Sequence, residues 1–126
     1  MSKIKETSTN FANRQAIANE CSEVYTSILL GGQWTIPICS WLINGKLRFC
    51  ELKKFMPNIT ERMLSLQLRK LEDQKIVNRF VYAEVPLRVE YELTAIGYEL
   101  KPIIQLLESW GDKHKKCIKE SNAELD

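Results

Sequence analysis

The sequence predicts a mainly helical α+β protein, in which amphipathic helices precede one β-hairpin and a further helix follows it. Apolar residues make up 44% of the 126 residues, which is enough to bury one core. Over 60–75 apolar residues recur with the period of about 3.6 that is typical of a half-buried helix. From 77 onward the period changes to two, which is typical of strands. One domain is therefore expected over 13–120, with flexible tails at 1–12 and 121–126.

Charge, apolar runs and cysteines narrow the class of protein. The net charge of +2 is small, so any affinity for nucleic acid has to come from a local basic surface. No apolar run is long enough to cross a membrane and the first residues lack a secretory h-region, so we expect a cytoplasmic protein. The four cysteines form no Cys-x-x-Cys pair and are accompanied by one histidine, so neither a metal nor another cofactor is expected.

Three helices are expected in the first half of the chain. Apolar residues recur at helical spacing over 17–29, and Gly31-Gly32 ends this first helix. A second helix is expected over 34–43, with Pro37 near its first turn, where the missing N–H costs least. A third and shorter helix is expected over 48–55.

The fourth predicted helix is the most regular one and follows a tight turn that contains Pro57. Thr60 is a good N-cap, and the helix is expected over 60–75. Its core-facing side carries three leucines, Leu64, Leu68 and Leu71. A short helix, a turn and this longer helix together match the helix-turn-helix pattern.

The opposite side of the fourth helix carries residue types that read DNA in the major groove. The candidates for contact with DNA are Thr60, Arg62, Ser65, Leu66 and Arg69. Arginine can bridge guanine O6 and N7 or hold a phosphate, serine can meet a base or the backbone, and leucine can cover a thymine methyl. The plainer interpretation is that arginines on an outer helix face are merely solvated, so their place in a helix-turn-helix is what favours DNA.

A β-hairpin is predicted from two runs of alternating residues, at 77–82 and 88–93, which the residues 83–87 join. A helix-turn-helix that is followed by such a hairpin predicts a winged helix-turn-helix with a two-stranded wing. A C-terminal helical region is expected next, with Thr94 as its N-cap and a break or kink at Pro102. One face of its continuation is apolar and carries Ile103, Leu107, Trp110, His114 and Ile118.

Four further basic residues are candidates for contact with the DNA backbone. Arg79 and Arg88 lie on the two strands of the hairpin, where a wing can lay them along a phosphate backbone or into the minor groove. On this prediction, Arg88→Ala lowers affinity uniformly and flattens its salt dependence. Lys46 and Arg48, at the start of the third helix, are expected to meet phosphates as well.

Short motifs are spread over residues 21–111. They are Gly31-Gly32-x-Trp34, Arg48-Phe49-x-Glu51-Leu52, Ile59-Thr60-x-Arg62-Met63-Leu64, Leu68-Arg69-x-Leu71-Glu72, Val85-Pro86-x-Arg88-Val89-Glu90-Tyr91-x-Leu93-Thr94, Gly97 and Trp110-Gly111. Together these motifs resemble the HxlR-type winged helix-turn-helix regulators of transcription. Pro37 departs from the pattern, since an aliphatic residue is usual there.

The resemblance implies a homodimer formed through additional N- and C-terminal helices. Two recognition helices would then enter successive major grooves of a pseudo-palindromic operator, with half-sites about one helical turn apart. A small monomer would struggle to bury the apolar C-terminal face, which agrees with a dimer interface at Ile103, Leu107, Trp110 and Ile118. The alternative is that these side chains pack on their own domain.

The resemblance also makes Cys21 a candidate redox sensor. Cys21 occupies the position of a family cysteine that senses oxidants, quinones or other electrophiles in several members, and Ser22 replaces the proline that often follows. The thiolate is the reactive form; the carboxylates of Glu20 and Glu23 would raise the pKa of the thiol, and a helix N-terminus would lower it. The alternative role is that of a small buried apolar residue.

The other cysteines carry weaker expectations. Cys39 and Cys50 lie in predicted helices among apolar neighbours, so core packing is expected for both. Cys117 lies near the C-terminus and is a candidate resolving partner for an oxidised thiol. A small-molecule effector bound between the dimer helices is a further alternative, which no residue identifies.

Two other classes of function compete with DNA binding. An enzyme is not expected, because His114 lies on an apolar face and the sequence has no Gly-rich phosphate loop, Cys–His pair or paired carboxylates on a common face. The alternative function is a winged-helix protein-interaction module, since Glu61, Glu72 and Asp73 dilute the positive charge of the fourth helix. A continuous positive strip across two recognition helices would favour DNA.

Overall fold

The computed structural model describes residues 21–125. This part of the chain falls into two compact units, which divide between Thr35 and Ile36. The tail expected at 1–12 and the expected start of the first helix at 17 lie outside the described residues. The single domain over 13–120 remains a prediction.

Helix α1 (Ser22–Leu30) belongs to the first unit. It begins after Cys21, whose backbone is extended, and it ends at Gly31, as the sequence predicts. None of its residues is buried, and its large apolar side chains Val24, Tyr25 and Ile28 are exposed. Within the described residues, the apolar spacing of α1 therefore does not correspond to a buried face.

The remaining elements form a winged helix-turn-helix and a long C-terminal helix. In chain order they are α2 (Thr35–Leu42), β1 (Leu47–Arg48), α3 (Phe49–Phe55), α4 (Glu61–Asp73), β2 (Val77–Tyr82), β3 (Arg88–Leu93), α5 (Ala95–Tyr98) and α6 (Leu100–Leu125). The mainly helical α+β class with a two-stranded wing is confirmed. We call β2, β3 and the loop 83–87 the wing.

The sheet has three antiparallel strands in the order β1-β3-β2. In the wing, β2 and β3 pair along their full predicted lengths, with Val77 opposite Leu93 and Tyr82 opposite Arg88. The prediction of two strands is incomplete, because Leu47 and Arg48 also pair with β3. A strand of two residues is too short to show an alternating pattern, so the sequence gives no sign of it.

The core lies where α4 packs against the wing and the neighbouring helices. Leu64, Leu68 and Leu71 are each 0% exposed, which confirms the predicted core face of α4. The other fully buried side chains of this unit include Ile38, Leu42, Leu52, Ile59, Val77 and Leu93. Burial on this scale anchors α4 by one face and leaves its other face to solvent.

Both ends of α4 have a local cause. At the start, the Thr60 hydroxyl accepts a hydrogen bond from the Met63 N–H at 3.1 Å, so the predicted N-cap is confirmed. The helix ends at Asp73, two residues earlier than predicted, because Lys75 adopts a φ of 62° that no α-helix tolerates. This left-handed residue turns the chain from α4 into β2.

The C-terminal region consists of two helices. Between them Glu99 interrupts the helix, so the break precedes Pro102, which lies in the first turn of α6. An added Cβ on Gly97 would collide with the Ile76 carbonyl oxygen, so glycine allows α5 to lie close to the start of β2. Helix α6 continues through 121–125, where a tail is expected, because that segment has no glycine or proline to end it.

Thr94 joins α5 to the turn that precedes β2. Its hydroxyl accepts from the Gly97 N–H at 3.2 Å and lies 2.7 Å from the Lys75 carbonyl oxygen, to which it donates. Replacing Thr94 with alanine is expected to lower the free energy of unfolding by about 1–2 kcal/mol, because the cap is removed. Denaturant unfolding of Thr94→Ala should show this decrease, while Thr94→Ser keeps the hydroxyl and most of the stability. Equal decreases in the two variants would contradict a role for the hydroxyl.

Candidate DNA-binding surface

The solvent face of α4 carries the side chains that the sequence predicts for reading DNA. Arg62, Ser65, Leu66 and Arg69 are all exposed, and Leu66 is 49% exposed although it is a large apolar residue. Among residues 21–125, neither arginine of this face forms an ion pair. Their guanidinium groups are therefore free to bind an anion or a base edge. Thr60 is exposed at the start of the same helix.

A cleft of about 550 Å³ separates α4 from the wing. Ser65 lines it from α4, Phe49 and Cys50 line it from the first turn of α3, and Arg79 and Val89 line it from the wing. The polar lining also includes Arg48, Glu84 and Arg88. Helix α4 and the wing, which both carry predicted DNA-binding residues, thus lie on the two sides of one concave surface.

The two wing arginines lie on opposite faces of the hairpin. Residues paired across two antiparallel strands share a face, and successive residues alternate between faces. Arg79 is paired with the buried Tyr91 and so shares the core-facing side of the sheet. Arg88 is paired with Tyr82 on the other side. The sequence prediction treats the two arginines alike, but the register separates them.

Arg88 is surrounded by partners of its own. Its guanidinium lies 3.0 Å from a carboxylate oxygen of Glu84 and 3.9 Å from one of Glu90. The guanidinium carbon also lies 4.0 Å from the centre of the Tyr82 ring, which is a cation–π contact. Only 26% of the Arg88 side chain is exposed. The charge that the sequence assigns to DNA is therefore already engaged within the wing.

Lys46 and Arg48 are also held against the sheet. The Lys46 ammonium lies 4.2 Å from the centre of the Phe80 ring and 3.5 Å from the Tyr82 hydroxyl. The Arg48 side chain is half exposed and its Nε lies 3.9 Å from Glu90. Its backbone N–H donates to the Glu51 carboxylate at 2.9 Å, which caps α3. Contacts of this length with exposed groups are weak, so both side chains can still turn toward a phosphate.

The four cysteines differ in their access to solvent. Cys21 is exposed immediately before α1, and Cys117 is exposed on α6. Cys39 is buried as predicted, and burial raises the pKa of its thiol to about 11. The prediction for Cys50 is wrong, since Cys50 is exposed. It precedes the buried Leu52 by two positions, which places it on the opposite side of α3 because a helix turns through about 200° in two residues.

Helix α6 exposes the apolar face that the sequence predicts. Ile103, Leu107, Trp110 and Ile118 are 45%, 41%, 64% and 48% exposed. Ile104, on another side of the helix, is buried at 5% exposure and fixes α6 to its own unit. His114 stacks on Trp110 with ring centroids 5.2 Å apart, so it is part of this apolar face. Within residues 21–125, these four apolar side chains therefore stay substantially exposed.

The partners of Arg88 and the exposed thiol at Cys50 are the features that the sequence prediction lacks. The alternation of β3 already places Glu90 on the same face as Arg88, which is a signal that sequence reasoning could have used. Glu84 lies in the loop, where no period applies.

Within residues 21–125, no three His, Cys, Asp or Glu side chains cluster as metal ligands would. No helix in this range combines the length and the apolar character needed to span a bilayer.

Comparison with known proteins relates this arrangement to a family. The model of the HxlR-like helix-turn-helix family matches residues 29–119. The HTH-type transcriptional regulator YdeP of Bacillus subtilis is 44% identical over 103 residues, which cover 82% of this chain and 80% of YdeP.

Solved structures show the same fold. The redox regulator HypR in its reduced form has a TM-score of 0.72 at 42% identity, and the match covers 76% of this chain and 95% of HypR. The reduced form of the transcriptional regulator YodB from B. subtilis has a TM-score of 0.65 at 35% identity, covering 75% of this chain and 93% of YodB. YodB is also known in a quinone-bound form. The chain belongs to the HxlR-like helix-turn-helix family, which is a family of transcriptional regulators and not of enzymes.

Proposed function

We propose that the protein is a sequence-specific DNA-binding regulator that acts as a homodimer on a pseudo-palindromic operator. Helix α4 enters the major groove, and the wing lies along the adjoining backbone or minor groove. The observation that supports this most is the solvent face of α4, on which Arg62 and Arg69 form no ion pair within the described residues. Ser65 and Leu66 lie between them, so the face offers donors and an apolar contact together.

The exposed apolar face of α6 supports the dimer. Monomeric proteins rarely leave a contiguous patch of large apolar side chains in water. Ile103, Leu107, Trp110 and Ile118 form such a patch at turn-by-turn spacing, and α1 exposes apolar side chains of its own. We infer that a second copy covers α6, because a dimer with two recognition helices reads two half-sites.

The DNA-binding function can be tested without knowing the operator. Duplexes selected by the wild-type protein from a random-sequence pool provide the probe, and fluorescence anisotropy measures their affinity. We expect enrichment of an inverted repeat, two chains per duplex, and a logarithm of affinity that falls linearly with that of salt concentration. A protein that enriches no sequence would contradict the proposal and favour the protein-interaction module. One chain per duplex would contradict the dimer.

We further propose that Cys21 responds to oxidants or electrophiles. Its thiol is exposed at the N-cap position of α1, where an oxidant or electrophile can reach it. HypR, which this chain resembles, is a redox regulator. Mild oxidant treatment followed by thiol trapping should modify Cys21 in the wild type and change its affinity for the selected DNA. The Cys21→Ser variant should keep its affinity after the same treatment, and an unchanged wild type would contradict the proposal.

A further inference from the structure

We propose that Arg88 does not bind DNA but positions the wing, and that Arg79 supplies the wing's positive charge to the DNA backbone. This inference rests on the DNA-binding function proposed above and divides the roles of two residues that the sequence treats alike. The loop 83–87 joins the ends of β2 and β3, at Tyr82 and Arg88, which lie beyond the buried part of the sheet. The core therefore does not fix the wing tip, so DNA binding by the wing depends on contacts that hold this tip in place.

The side chains of Arg79 and Arg88 leave the hairpin from opposite faces. Arg79 lies on the core-facing side of the hairpin and lines the cleft whose other side carries Ser65 of α4. A backbone that runs between a major groove and the neighbouring minor groove has to pass between a recognition helix and its wing. Arg79 is therefore placed on the side of the wing that such a backbone follows. Arg88 also contributes to the lining of the cleft, but it leaves the hairpin from the other face, and its guanidinium lies over the Tyr82 ring.

The two arginines also differ in the charges that surround them. Arg88 has carboxylates at 3.0 Å and 3.9 Å, from Glu84 in the loop and Glu90 on its own strand. Binding a phosphate would require Arg88 to leave both, and would bring those two carboxylates toward a polyanion. Arg79 has no ion-pair partner within residues 21–125, so it can bind a phosphate without breaking an ion pair.

Arg88 also connects several segments of the wing. Its guanidinium contacts Glu84 of the loop and the Tyr82 ring of β2. It also lies near Glu90 of β3, whose carboxylate lies near Arg48 as well. These contacts join both strands of the wing and the loop between them at one guanidinium. A planar guanidinium can hold two carboxylates and a ring at once, which an ammonium cannot do with the same geometry.

The two roles predict opposite results for Glu84→Gln. If Arg88 bound a phosphate, removing the Glu84 carboxylate would free it and tighten binding to DNA. If Arg88 positions the loop, the same change loosens the wing and weakens binding. Glu92→Gln is the matched control. It removes one negative charge from the wing, as Glu84→Gln does, and Glu92 lies on the same face of β3 as Arg88. Glu92 nevertheless forms no ion pair with Arg88.

The experiment measures the affinity of the wild type and variants for the selected duplexes over a range of salt concentrations. Arg79→Ala should lower the salt slope by about 0.9 for each phosphate that Arg79 no longer neutralises, and a dimer carries two copies of Arg79. Arg88→Ala should weaken binding by up to about tenfold, since its contacts are of modest strength, and leave the slope unchanged. Glu84→Gln should bind more weakly than Glu92→Gln.

Hydroxyl-radical footprints and melting temperatures separate positioning from a general loss of structure. Arg88→Ala and Glu84→Gln should lose protection only at the flanks that the wing covers, with the melting temperature close to that of Glu92→Gln. A salt slope lowered by Arg88→Ala as by Arg79→Ala, or tighter binding by Glu84→Gln than by Glu92→Gln, would overturn the inference. Either result leaves DNA binding itself intact, whereas a wild type that selects no duplex overturns the proposed function instead.

Discussion

Replacing Leu68 with alanine is expected to lower the free energy of unfolding by about 2–5 kcal/mol. Leu68 is 0% exposed and lies between Leu64 and Leu71 on the buried face of α4. The truncated side chain leaves a cavity that α4 cannot close, because Leu64 and Leu71, about one turn before and after Leu68, are themselves fully buried and hold the helix in place. Since domains of this size are stable by only about 5–15 kcal/mol, the variant should lose a large share of its stability.

Leu66 provides the matched control on the same helix. It is 49% exposed, so Leu66→Ala should change the free energy of unfolding by less than about 0.5 kcal/mol. Urea denaturation followed by circular dichroism measures both variants, at one protein concentration because the stability of a dimer depends on it. A similar decrease in the two variants would mean that α4 is not anchored by one face. Leu66→Ala should instead weaken DNA binding, since Leu66 would cover a thymine methyl.

The contrast between Leu66 and Leu68 explains why the helix-turn-helix is predictable from the sequence. The two residues differ only in their place on a period of about 3.6, and in α4 that period persists through three buried leucines. Thr60 and Thr94 are predictable as caps for a related reason, because a hydroxyl before a helix satisfies N–H groups that have no other partner. Local physics determines both features.

Features that depend on the pairing of distant segments are harder to predict from the sequence. Strand β1 exists because Leu47 lies opposite Tyr91, which comes much later in the chain, and two residues carry no period of their own. The ion pair of Arg88 with Glu84 depends on how the loop folds back over the strand. Alternation places Arg79 and Arg88 on opposite faces and puts Glu90 on the face of Arg88, but it cannot show that Glu84 in the loop also pairs with Arg88.

Replacing Arg69 with alanine is expected to produce the largest decrease in DNA affinity. Arg69 is exposed on the solvent face of α4 and forms no ion pair within residues 21–125, so no internal contact competes with DNA for it. An arginine that bridges guanine O6 and N7 contributes about 1–3 kcal/mol. A homodimer carries two copies, so the decrease applies at each half-site. Affinity should therefore fall by about 5- to 150-fold for each half-site.

A base-reading role for Arg69 also predicts a change in selectivity. Arg69→Ala should relax the preference at one position of each half-site, whereas removing a group that binds only a phosphate weakens all sequences alike. Lys70→Ala is the matched control, since it removes the same charge from the same helix about 100° around its axis. Competition between the selected duplex and single-base variants of it measures the preference of each protein. If Arg69→Ala and Lys70→Ala lower affinity equally and keep the same preference, Arg69 contributes charge alone, and base reading has to rest on Arg62, Ser65 and Leu66.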